Sequence, residues 1–147
     1  EIQSALKSSA ALTYVANDSI IVGAISHKDI VPSFKYCCIR IMPIDSGFVV
    51  KEPRIGQYFR NNYSVAIELW IKTGVADRLS SGHGEVRGVH DFFQDVVNTL
   101  EHNTFDNQLD PWAGSNISNA TMITDPEERG QMEGIAFVWL GCQDNIK

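Results

Sequence analysis

The chain has 147 residues, 44% of them hydrophobic and 20% charged, and its 18 acidic and 12 basic side chains give a net charge of −6. This is enough chain for one globular domain over residues 1–147 with its own core, and it contains no low-complexity tract. The acidic balance without a basic stripe argues against specific nucleic-acid binding, and no apolar run approaches the roughly 20 residues of a membrane span.

In Glu1–Leu12, the residues Ile2, Ala5, Leu6 and Ala10 recur near three- and four-residue spacing, which predicts a helix. Leu12–Val15 reads as a short strand, Asn17-Asp18-Ser19 as a turn, and Ile20–Ile25 as an apolar stretch compatible with either strand or helical turn. Pro32 ends any regular element before it. Lys35–Pro43 reads as a strand with Cys37, Ile39 and Ile41 on one face and Tyr36, Cys38, Arg40 and Met42 on the other; Pro43 stops it or marks an edge. Residues 45–62 are too many for a hairpin turn and read as an extended loop or arm, with Gly47–Lys51 able to extend as β.

Tyr63–Thr73 is the clearest strand. Tyr63, Val65, Ile67, Leu69 and Ile71 alternate with Ser64, Ala66, Glu68, Trp70 and Lys72. After a glycine- and serine-rich stretch, Val89, Phe92, Phe93, Val96, Val97 and Leu100 form the apolar stripe of an amphipathic helix that closes near His102 and Asn103. Residues 104–118 read as a long loop. Asn119–Thr124 and Gln131–Cys142 read as strands joined by the turn 125–130, and the second is apolar on both faces from Ile135 to Leu140. Such a strand is central and covered on both sides, or has one face covered by a partner. The order predicts an α+β fold: a mostly antiparallel mixed β-sheet packed by an N-terminal helix and one long amphipathic helix, with a long inter-strand arm.

The residues that could carry chemistry are few. His83, Glu85, His90 and Asp91 are the types that bind zinc or move protons, but their spacing matches no ligand pattern, and adjacent helix positions do not share a face. A solvated loop followed by a helix start accounts for them as well. Gly82-His83-Gly84 lacks the spacing of a dinucleotide cradle. Asp125, Glu127, Glu128 and Glu133 suit a charged hairpin tip better than a calcium site or a carboxylate pair. The sequons at Asn17, Asn62, Asn116 and Asn119 read as coincidental. Cys37, Cys38 and Cys142 are odd in number and read as buried free thiols in a reducing compartment. Trp112 either folds back over the core or faces a partner.

Taken together, the helix Glu1–Leu12, Pro32 ahead of the strand Lys35–Ile41, the long insertion, the strand Tyr63–Thr73, the helix Val89–Leu100 and the hairpin ending in Ile135–Cys142 resemble the tail terminator, or tail-completion, proteins of long-tailed bacteriophages. The resemblance covers most of the chain and is one of architecture. It implies a virion structural protein, assembled in the host cytoplasm, with no catalytic residue, metal or cofactor. It also implies a homo-oligomeric ring, a hexamer, on the head-proximal end of the tail tube. That ring would stop tube growth and meet the tail tube protein on one side and a head connector or stopper protein on the other. A head-completion or stopper role is the near alternative, and a small metal- or ligand-binding enzyme using His83–Asp91 is the alternative of a different class. DNA passing through such a ring suits a neutral or acidic lumen. Phe48, Val50, Arg54, Ile55, Phe59, Arg60 and Trp112 are the interface candidates, because the 45–62 segment is too apolar for a solvated loop and carries basic residues on an acidic protein.

Overall fold

A computed structural model describes residues 1–23, 37–43, 50–53, 58–72, 88–101, 103, 105, 115–124 and 132–146. Helix α1 (Ile2–Ser8) is followed by 3₁₀ turns at Ala10–Leu12 and Asn17–Ser19, then β1 (Ile20–Val22), β2 (Cys37–Pro43), β3 (Val50–Pro53), β4 (Tyr58–Lys72), helix α2 (Val89–Leu100), β5 (Ser115–Thr124) and β6 (Met132–Ile146). The strands form one sheet in the order β1-β2-β4-β6-β5, with β3 also paired to β4. The β1–β2 pair is parallel and the other pairs are antiparallel. The α+β fold with a mixed, mostly antiparallel sheet is as the sequence predicts.

The strand expected at Leu12–Val15 is absent. Leu12 N–H bonds Ser9 O at 3.1 Å and Val15 N–H bonds Leu12 O at 2.9 Å, so this stretch closes into turns instead of extending. Ile20–Val22 takes the strand role instead. Gly23 ends it with φ 116°, a conformation costly for any side chain, and donates to Ile41 O at 2.9 Å.

Alternation along each strand divides the sheet into two faces. On the helix-covered face Ile39, Leu69 and Ile135 share one row across β2, β4 and β6, and Ile41, Ile67 and Phe137 share another. All six are buried in one core with Leu6, Leu12, Val15 and Ile20. Helix α2 keeps its expected bounds and lays Val89, Phe92, Val96 and Leu100 into that core. Phe93 flanks the stripe and meets Phe137 edge to face, with centroids 5.4 Å apart. Burying these apolar side chains stabilises by about 1.5–3 kcal/mol each before entropy is set against it.

Side-chain hydrogen bonds tie the N-terminal turns to this helix. Tyr14 donates its hydroxyl to Asp95 Oδ2 at 2.7 Å and packs edge to face on Phe92. Thr99 Oγ1 donates to Asp95 O at 2.9 Å, which leaves Ser9 Oγ as the donor in its 2.8 Å bond to Thr99 Oγ1. Gln3 Nε2 reaches Ile20 O at 2.8 Å, fixing α1 on the edge strand. Beyond α2, Asn103 accepts from Phe105 N–H at 2.8 Å, and Phe105 takes φ 46°. That turn sets the Phe105 ring edge-on against Trp139, whose indole crosses the space a Cβ on Gly141 would need.

Two strands are longer than the sequence shows. β4 begins at Tyr58, five residues before the visible alternation, and β6 runs on to Ile146. The 45–62 segment is therefore not a free arm throughout: Val50–Pro53 pairs with Phe59–Asn62 within the sheet. Residues 44–49 and 54–57 lie outside the described residues.

Candidate functional site

Pro43 pairs with Val65 of β4, and Val50 pairs with Asn62. Three steps back along β4 thus correspond to seven along the chain from β2 to β3, so β3 continues the line of β2 on the same edge of β4 after a short excursion. On the other edge, β6 pairs with β4 without interruption from Lys72↔Met132 to Tyr58↔Ile146. At the Tyr58–Asn62 end of β4, β3 on one side and the Cys142–Ile146 end of β6 on the other make a three-stranded tongue about 17 Å long. Its register places Arg60 opposite both Glu52 and Asp144, and Phe59 opposite Pro53 and Asn145.

Of the interface candidates, Val50, Phe59 and Arg60 come together in this tongue, by register. Phe48, Arg54, Ile55 and Trp112 lie outside the described residues, as do His83 and Glu85. His90 is exposed on α2 and Asp91 half-buried beside it, in the first turn. Among the described residues no group of three or more His, Cys, Asp or Glu side chains could hold a metal ion. No described helix is long and apolar enough to cross a membrane.

The second face of the sheet is the one that β2 and β4 expose away from the helices, and there the sequence gives little warning of burial. Cys38 and Trp70 pair across the strands and are both buried, Trp70 with 2% exposure. Gly134 makes room for this indole. A Cβ there would strike the Leu69 carbonyl and lie 3.1 Å from Trp70 Cε3. Trp70 Nε1 donates to Glu68 Oε2 at 3.0 Å, and the same oxygen lies 3.4 Å from Arg40 Nη1. That last contact is an ion pair without hydrogen-bond geometry: Arg40 Nε and Nη1 have no hydrogen-bond partner among the described residues. A buried pair of this kind orients the surrounding side chains more than it stabilises the fold, because desolvation offsets most of the Coulomb attraction.

Burial pushes the Cys37 thiol up to about 12. Cys38 is also pushed up to about 12, first by burial, then by the neighbouring Cys37 and Glu68 against the lowering effect of Arg40. Both are free thiols. Thiolate chemistry at neutral pH is closed to them. With Cys142 replaced by serine, the folded protein should leave a thiol reagent unreacted at neutral pH, and both thiols should react on unfolding. Keeping a thiol neutral contributes stability that is complete below its ordinary value of 9.0 and is lost as pH rises through about 12. The fall in melting temperature across that window should be shallower in Cys38→Ala. Equal slopes would show that the thiol titrates as it does in the unfolded chain.

Sequence reasoning missed two features of the edges. Ser115–Ser118 reads as loop but forms the start of β5, pairing with Val138–Gly141. Residues 58–62 read as part of the arm but belong to β4. Asn and Ser at alternate positions hide the first, and Arg60-Asn61-Asn62 breaks the alternation in the second. The weak available signal was Ile117, two residues before the predicted strand start. Known protein families compared with the chain give no match, and no curated protein is significantly similar to it.

Proposed function

We propose that the chain is a structural subunit that assembles with copies of itself into a ring at the head-proximal end of a bacteriophage tail tube, ends tube growth there, and joins tail to head. The observation that carries this reading is the tongue. It brings the interface candidates Val50, Phe59 and Arg60 onto adjacent strands of one ladder, a continuous stretch that a neighbouring subunit can grip. The resemblance in element order supports the choice of neighbour, as does the basic character of Lys51, Arg54 and Arg60 on a chain of net charge −6.

Replacing Val50, Ile55 and Phe59 together with polar residues tests it. In light scattering the parent protein should form a species near six subunits, alone at high concentration or in the presence of tail tubes. The triple variant should remain a folded monomer and cap no tubes. A parent that stays monomeric in both conditions and leaves tube length unregulated would overturn the reading. A variant that unfolds assigns these residues to the subunit's own core.

A further inference from the structure

We infer that the outer edge of β5 is a self-pairing surface, on which a second copy of this chain adds its own β5 antiparallel about the point between Asn119 and Ala120. β5 ends the strand order, so among the described residues one side of its backbone has no strand beside it. It is ten residues long and contains no charged side chain. Asn116, Asn119, Ala120, Thr121 and Met122 are exposed, Met122 to 48%. Folded proteins ordinarily blunt such an edge with charge, proline or brevity. The other outer strands here follow that rule: β1 has three residues, and β3 has four, including Lys51, Glu52 and a terminal Pro53.

Three features select a second copy as the occupant. The first is electrostatic. Two chains of net charge −6 repel over most of their surfaces, and β5 is a long stretch where neither brings a charge.

The second is the bulge. Ser118 pairs with Val138 and Thr121 with Ala136, so β5 advances three residues while β6 advances two, and Asn119 takes φ 55° at the extra residue. A bulge usually spoils an edge for pairing, because a regular strand cannot follow it. A second β5, centred on the same point, brings an identical extra residue to the same place, and the two strands bend together.

The third is parity. The bulge reverses the alternation, so Ile117 and Met122 share the helix-covered face, opposite Trp139 and Ile135, while Ser118 and Thr121 share the other face, opposite Val138 and Ala136. In the two-fold arrangement Ile117 of one copy meets Met122 of the other, and Ser118 meets Thr121, each pair on a common face. The match is the strand's own, and it does not depend on the ring.

Register-specific cross-linking tests this with the full chain carrying Cys142→Ser. Copies with Ser118→Cys and copies with Thr121→Cys should give a disulfide-linked dimer when mixed under mild oxidation, and little when each is oxidised alone. No dimer in the mixture, or equal dimer in all three samples, would overturn the inference. As a second measurement, Thr121→Lys should leave the far-ultraviolet circular dichroism unchanged and weaken self-association on the order of 10-fold or more in sedimentation equilibrium. Unchanged association would count against the edge. A ring without the mixed cross-link refutes this inference alone; the cross-link without any assembly beyond a dimer, with tail tubes present, refutes the ring alone.

Discussion

Phe92→Ala should lower the stability of the domain by about 3–5 kcal/mol, measured by urea unfolding at an unchanged m-value. Phe92 is fully buried at the centre of the α2 stripe and supports the Tyr14 ring that hydrogen-bonds Asp95. Truncation therefore opens a cavity between helix and sheet, and it loosens the only aromatic contact, among the described residues, joining the N-terminal turns to this helix. The loss is large beside a total stability of about 5–15 kcal/mol. A change below about 1 kcal/mol would mean that α2 does not pack on the sheet as described.

Trp70→Ala should cost a similar 3–5 kcal/mol, from the opposite face of the sheet. Its indole fills the space that Gly134 leaves, and Gly134 has no side chain of its own to collapse into the vacancy. Trp70→Phe separates packing from polarity. It keeps most of the apolar area and removes the Nε1 donor to Glu68, a bond to a charged acceptor worth roughly 1.5–3 kcal/mol. If both substitutions are tolerated equally, the second face is not a packed layer. A difference between them assigns the remainder to the cavity.

The elements that could be read from the sequence are those whose period is set by burial on one side. Helix α2 and the Tyr63–Lys72 part of β4 repeat at 3.6 and 2 residues because one face meets a continuous core, and their predicted positions hold. The ends of the sheet could not be read in this way. Tyr58–Asn62 and Ser115–Ser118 owe their extended backbone to ladder hydrogen bonds with β6, a partner distant in sequence, and ladder bonds are indifferent to side-chain type. Arg40 shows the other kind of limit. Its charge and its place on the face away from the helices give no sign of burial, yet it is buried, beside the partly exposed Glu68 and the buried Trp70. Of the candidate interface, the sequence located the segment around Val50, Phe59 and Arg60 but not its strand pairing. β5 is legible only from Asn119 on, because the bulge there interrupts the alternation that would mark its full length.

The unbroken β4–β6 ladder also governs when the protein can form. Its partners are 60 residues apart at Lys72 and Met132 and 88 apart at Tyr58 and Ile146. Contacts that distant close slowly, because the chain entropy of the intervening loop is lost before the ladder compensates for it. During synthesis β1 to β4 and both helices leave the ribosome before their central partner exists. Through that interval Ile67, Leu69 and Ile71 sit on a strand with one flank still vacant. A nascent chain halted before Met132 should therefore stay protease-sensitive and prone to aggregation, and protection should arrive in one late step as β6 emerges.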